Sequence, residues 1–252
     1  MIYLKENVQV NADDFGLSPS VNRAIVHAFQ SNLITSASIM ANMPSFKEAC
    51  TLIAEYNLNG RIGVHLNLVD GFPLTEGIRS MPRFCDEKGC FLGRKSRFFT
   101  LTSREKDAVE QELDAQIRKS IAAGISPVHL DSHHCYHRAW PICSIVIKLA
   151  RKYGINSVRI ERNCGPDIRP VHNIYNFLFN NRLRIFGLAR SRFFGSVDDR
   201  FYDMDKPLAD IEIMVHPDLD NDNHIIDAWV TEPSNGTFLE ERLGNIGVIG
   251  FI

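Results

Sequence analysis

Carboxylates and imidazoles gather in three short segments of this chain: Asn11-Ala-Asp-Asp-Phe-Gly16, Gly63-Val-His-Leu-Asn-Leu68 and His129-Leu-Asp-Ser-His-His-Cys-Tyr-His137. Such side chains hold a divalent cation and move protons at a bound water, which is the chemistry of metal-assisted hydrolysis. The third segment is the richest, with four histidines and one aspartate within nine residues. Imidazole and carboxylate donors suit zinc, manganese, iron, cobalt or nickel, and an oxygen-rich site with waters suits magnesium. The four histidines cannot all be ligands. His129, two residues before Asp131, reads as a packed residue or as support for a neighbouring ligand. The alternative for the whole segment is a histidine-rich surface loop.

The other polar positions carry a structural reading beside the chemical one. Adjacent residues leaving a strand point to opposite sides, so Asp13 and Asp14 reach one site only across a turn, which Phe15-Gly16 supplies. One carboxylate on a metal and one free would separate ligand from general base. The same pair also fits a turn and helix cap without chemistry. His65 lies in an apolar run, where a lone histidine commonly serves as a hydrogen-bonded core residue. Asn67 shares its face on a period of two, so the pair can line one polar pocket and meet a substrate. His216, followed by Pro217 with Asp218 and Asp220 nearby, closes a late apolar run and stands where it can protonate a leaving group.

These groups need elements that end where they lie. Residues 8–11 read as a strand ending at the aspartates, and Ser18-Pro19 matches a helix N-cap with proline at the first helical position. Val21, Ala24, Ile25, Ala28 and Phe29 follow at helical spacing. Strands are expected at 34–41, 61–68, 128–131, 157–160, 211–216 and 247–252. Helices are expected after Ser45, from about Ser103 (Val109, Leu113, Ile117 and Ile121 on one face), at Ile142 to Leu149, and over 170–188 with Ile174, Phe177, Leu178 and Ile185. Residues 69–102 form a long connection suited to a substrate-binding insertion. Residues 191–208 look irregular, and Arg192-Phe-Phe-Gly195 within them could line a cleft. Alternating strands and helices with polar groups at strand ends predict an α/β fold: a distorted or incomplete (β/α) barrel of about seven strands, spanning 1–252 as a single domain. An open doubly wound sheet is the second choice.

Length and composition narrow the function further. A chain of 252 residues with 44% hydrophobic and 23% charged residues can bury a full core. A net charge of −2 without any basic run gives no case for nucleic acid or an anionic membrane. No apolar stretch is long enough to span a bilayer, and the N-terminus lacks a basic and apolar leader, so neither a membrane span nor a signal peptide is expected. The six cysteines are scattered; Cys85 and Cys90 find no second pair for a zinc knuckle. Reduced thiols in the cytoplasm are the expectation.

Asn-Ala-Asp-Asp-Phe-Gly-Leu-Ser from Asn11, Gly-Val-His-Leu from Gly63, His-Leu-Asp-Ser-His-His from His129 and the late His216-Pro217 together resemble the YdjC-like carbohydrate deacetylases, a family that includes chitooligosaccharide deacetylases. The likeness runs from about Val8 to Asp220 with the motifs in order. It implies a distorted barrel, one divalent metal (magnesium, with zinc or another transition metal as the alternative), and a homodimer. Carried over motif by motif, Asp14 would be the metal carboxylate, His65 and His133 the metal histidines, Asp13 the general base, His216 the general acid, and Arg159 a substrate-facing residue. Members close to the chitooligosaccharide enzymes read His-His-His-Val-His where this chain reads His133-His134-Cys135-Tyr136-His137, which alters the pocket beside the ligand.

The resulting expectation is a metal-dependent hydrolase that removes an N-acetyl group, or secondarily an O-acetyl group, from a carbohydrate. A phosphoesterase on a related barrel is the alternative enzyme. It would want a second metal and a His-x-His pair after the first strand, where this chain has Asp13-Asp14. A non-catalytic carbohydrate-binding relative would have no need of an acid and a base.

Overall fold

The computed structural model describes residues 2–4, 7–93, 100–164, 170–197, 210–229 and 238–251. The chain enters through β1 (Ile2–Leu4) and β2 (Val8–Phe15), then α1 (Pro19–Gln30), β3 (Ser36–Ile39), α2 (Phe46–Glu55) and β4 (Ile62–Leu66). A short helix α3 (Glu76–Arg79) and a long one, α4 (Ser103–Ala122), lead to β5 (Leu130–Ser132). A tight 3₁₀ turn over His133–Arg138 precedes α5 (Trp140–Lys152), and α6 (Pro170–Ile185) precedes β6 (Phe193–Ser196) and β7 (Ile211–Val215). The chain closes with β8 (Pro217–Leu219), β9 (Ile225–Asp227), α7 (Leu239–Asn245) and β10 (Ile249–Phe251).

Six strands form one sheet in the order β5-β4-β3-β2-β7-β6, every pair parallel. Parallel strands with helical crossovers are buried on both faces, and β2, β3 and β4 are almost wholly inaccessible. The strand expected at 157–160 contracts to Val158, which bridges β5 at Leu130 on one side and Ala189 on the other. Val158 donates to the Leu188 carbonyl at 2.7 Å and accepts from the Arg190 amide at 3.0 Å. Residues 189–190 run on into β6, so the curled sheet meets itself along a seam one residue wide. The result is an incomplete barrel of six strands with Val158 as a seventh stave.

Local sequence explains the flanking helices. The Ser18 hydroxyl accepts from the Val21 amide with Pro19 at the first turn, and Thr102 and Glu105 form a reciprocal capping box ahead of α4. Ser45 precedes α2 without a side-chain cap bond. Val109, Leu113 and Ile117 pack inward from α4, but Ile121 is exposed because the helix outruns the core. On α6 the expectation reverses: Phe179 and Leu183 are buried, whereas Ile174, Phe177, Leu178 and Ile185 face outward. Part of the 191–208 stretch is the strand β6, specified by its pairing with β7 rather than by alternation; residues 198–208 lie outside the described residues. The 69–102 connection carries α3 and buries Ile78, Phe84 and Phe91 against the core of α4 and α5. At the end of the chain, β10 pairs antiparallel with β1, not with the main sheet.

A candidate metal centre and its cleft

The aspartates share a site because β2 breaks at its end. Its register against β3 shifts between Ala12 and Phe15, and Asp14 adopts φ of +69°. Such a bulge re-aims side chains that would otherwise alternate, and Asp tolerates the left-handed region better than most residues. Gly16 then turns the chain at φ of +95° beside the Met40 carbonyl, where a side chain would crowd the backbone. Both carboxylates now lie at the C-terminal mouth, next to the ends of β4 and β5, where His65 stands opposite Asp131.

Asp14 Oδ1 lies 3.2 Å from His65 Nε2 and 2.8 Å from His133 Nδ1. All three residues are buried, and Oδ1 makes no hydrogen bond of acceptable geometry among the described residues. Three convergent donors around one orphaned buried oxygen fit a divalent cation of the mixed nitrogen–oxygen class. Each imidazole is oriented from behind. His65 Nδ1 meets Asp131 Oδ1 at 2.8 Å and the Ser38 hydroxyl at 3.1 Å, and His133 Nε2 meets Asp70 Oδ2 at 2.9 Å. Carboxylates behind metal-facing imidazoles fix their tautomer and rotation. Burial works against charge on His65, yet Asp131 and Asp13 raise it to about 10. Burial likewise opposes charge on His133, and the nearby carboxylates of Asp14 and Asp70 overcome it. For Asp14 burial would raise the carboxyl, but the two histidines hold it well below the ordinary range.

Asp13 is arranged differently. Arg159 Nη1 and Nη2 donate to its two oxygens at 2.6 and 2.7 Å, and Asn11 Nδ2 adds a third bond at 2.9 Å. Arg159 Nε donates to Glu212 at 2.8 Å, and its guanidinium also lies 3.0 Å from Asp131. The expectation that Arg159 faces substrate is therefore corrected: the side chain is wholly buried beneath the cleft. Burial opposes its charge, but Asp13, Asp131 and Glu212 hold it well above its ordinary value. Asn67 is corrected likewise. It is buried, exchanges bonds with Gln116, and donates to the Asp70 carbonyl at 2.8 Å while accepting from the Asp70 amide. Its work is to shape the turn that presents Asp70 to His133.

His216 reaches the same mouth from the end of β7. Its Nε2 lies 4.0 Å from Asp13 Oδ2, its backbone amide donates to Asp227, and Trp229 stacks on its ring at 4.8 Å. Of the remaining histidines of the third segment, only His134 joins a possible donor group among the described residues, with Asp70 and His133. His129 lies buried in the sheet and burial lowers it to about 4. His137 is also lowered to about 4 by burial, with Arg159 adding to the effect; it is held by Ser132 and the Arg159 carbonyl. His134 and Cys135 take left-handed φ of 52° and 55° in succession, a strained arrangement that functional sites commonly retain. Burial pushes the Cys135 thiol up to about 12, so it is no thiolate nucleophile.

A cleft of about 650 Å³ opens over these groups, its wall completed by Tyr136, Arg138, Glu161, Arg162, Phe194 and Trp229. Of Arg192-Phe-Phe-Gly195 only Phe194 reaches it. A hollow of about 600 Å³ beside Arg79 and Lys88 has no ligating cluster among the described residues. Sequence reasoning missed Asp70, Asp227, Trp229 and Glu161, although Glu161 directly follows the strand expected at 157–160. Asp131 alone was visible, two residues before His133.

Residues 7–238 match the YdjC-like protein family. A carbohydrate deacetylase of Geobacillus stearothermophilus is 31% identical over 242 residues, covering 95% of this chain and 87% of its own. A carbohydrate deacetylase of Halalkalibacterium halodurans is 33% identical over 210 residues, covering 82% of this chain and 83% of its own. Among solved structures, a protein of Enterococcus faecalis named for cellobiose-phosphate cleavage superposes with a TM-score of 0.66 at 23% identity, covering 85% of this chain and 82% of that one. That last likeness concerns the fold. With a family match running through all four motifs, the chain belongs to the YdjC-like family.

Proposed function

We propose that this protein is a metal-dependent hydrolase that removes an acetyl group, specifically N-acetyl, from a carbohydrate such as an N-acetylated oligosaccharide. The observation that carries the reading is an Arg159-clamped Asp13 set beside the Asp14–His65–His133 cluster at the floor of an open cleft. The names borne by the Geobacillus and Halalkalibacterium relatives supply the substrate class.

Asp14, His65 and His133 would hold one divalent ion, magnesium first and zinc or another transition metal second. When bound, the ion supplies Lewis acidity, polarising the acetyl carbonyl and acidifying water. Asp13 takes a proton from the attacking water; Arg159 and Asn11 fix the plane of its carboxylate for that transfer. His216, its Nε2 4.0 Å from Asp13 Oδ2, delivers a proton to the departing amine, with Asp227 and Trp229 holding its backbone and ring. The exposed apolar face of α6 supports a homodimer, and six free cysteines support a reducing, cytoplasmic setting.

The deciding experiment measures acetate release from a panel of N-acetylated saccharides by metal-reconstituted protein. Release of phosphate from sugar phosphates instead, or no turnover on any member, would overturn the reading. Within it, His216→Ala should slow amide hydrolysis more than hydrolysis of an activated acetyl ester, because an amine leaves only once protonated.

A further inference from the structure

Glu161 has no part in the chemistry above, yet it lines the same cleft. It follows Arg159 by two residues, just beyond the Val158 bridge. Arg159 lies beneath the cleft, and Glu161 stands one layer nearer the mouth. Its backbone is clamped by one side chain of α6: the Glu161 amide donates to Asn180 Oδ1 at 2.7 Å, and Asn180 Nδ2 donates to the Glu161 carbonyl at 2.9 Å.

One side chain, Arg138, hydrogen-bonds the carboxylate, and the Arg162 backbone and charge lie close by. Arg138 Nη1 donates to Oε1 at 3.0 Å, whereas Oε2 has no hydrogen-bond partner among the described residues, and the residue is only 5% exposed. Buried carboxylate oxygens are ordinarily paired, and one left without a partner in a residue that lines a cleft asks for a donor from a ligand. Burial raises the Glu161 carboxyl, with Arg138 and the backbone amide and charge of Arg162 opposing. A hydroxyl both donates and accepts, so it satisfies this group in either protonation state, whereas an anionic ligand group would be repelled by the charged form.

We propose that Glu161 is a specificity-determining residue whose Oε2 accepts a hydrogen bond from a ring hydroxyl of the saccharide in the cleft, with Arg138 fixing the carboxylate. This inference rests on the carbohydrate reading of the cleft. The test compares wild type and Glu161→Gln on the parent acetylated saccharide and on its monodeoxy analogues. In wild type, one analogue should lose about 10–100-fold in kcat/KM, the scale of a missing uncharged hydrogen bond in a polar site. Glu161→Gln should raise KM for the parent by a similar factor, keep its metal content and melting temperature, and show less than about a twofold further loss on that same analogue.

A preserved deoxy penalty in Glu161→Gln, or no penalty for any analogue in wild type, overturns the assignment while leaving the deacetylase reading intact. Absence of acetate release from every saccharide by wild type overturns both. Should Gln prevent folding, Glu161→Asp carries the test: it keeps the charge but draws the oxygen back by one methylene, and must blunt the same deoxy penalty. An undiminished penalty there overturns the assignment.

Discussion

The left-handed backbone at Asp14 lets neighbouring aspartates take separate work, one facing two imidazoles and the other a guanidinium. Asp13→Asn keeps the shape of the side chain but removes its basicity and half of the pairing with Arg159. Turnover should fall about 10²–10⁴-fold with metal content unchanged; turnover within a few-fold of wild type would make Asp13 structural. For the metal cluster, His133→Ala should abolish most affinity in a chelator-competition titration. Asp70→Ala should weaken it about 10–100-fold, the usual effect of losing a carboxylate behind a ligating histidine. Unchanged affinity in either variant would remove that residue from the cluster. Polar residues at the ends of apolar runs pointed to Asp13, Asp14, His65 and His216, the resemblance picked out His133, and the fold brings all five to one mouth. Arg159 came from the family resemblance and Asn67 from a period of two, and neither gives the depth at which both lie buried. Asp70 comes from a turn and Asp227 from the end of the short strand β9, positions that no periodicity announces.

Among the elements, β4 and β5 are tied by an unusual fit. Gly63 leaves room for the His129 ring: a Cβ there would sit 2.3 Å from its Cε1. His129 is therefore a plug in the barrel wall, filling with an imidazole what two ordinary side chains would overfill. Gly63→Ala should destabilise by about 1–3 kcal/mol, the cost of overpacking a close-packed interior, with a fall in urea midpoint at constant m-value; an unshifted midpoint would show that the ring can withdraw. The capped helices could be read from their termini, because a hydroxyl or carboxylate satisfying free amides is a local event. Strand β6 could not be, since it exists through hydrogen bonds to a segment remote in sequence, and the strand expected at 157–160 was legible in place but not in its contraction to Val158.

Across the whole molecule, buried histidines of opposite habit set an acid and an alkaline limit. His129 and His137 are lowered from 6.5 to about 4, so below pH 6.5 the unfolded chain binds protons that the folded chain refuses. Each then removes up to about 1.4 kcal/mol per pH unit between those values. His65 works in the other direction: raised to about 10, it favours the folded metal-free protein below 6.5 and loses that contribution as pH climbs toward 10. Metal-free protein should thus be most stable near pH 6.5, measured by urea unfolding at pH 5, 6.5 and 9. Stability rising steadily from pH 6.5 to 9 would exclude a protonated His65 in the fold.

The seam at Val158 ties the barrel wall shut with one residue where β2 and β7 share five paired positions. Arg159 is the very next residue, and its amide donates to the Leu130 carbonyl across that seam. Breathing of the wall there would draw the guanidinium away from Asp13 while the rest of the sheet stays closed. Heat should then silence the protein before it melts it. Amide exchange offers the check: the Val158, Arg159 and Arg190 amides should exchange through a small local opening, well ahead of those in β2 and β7, and equal protection would mean the stave is as firmly joined as the rest.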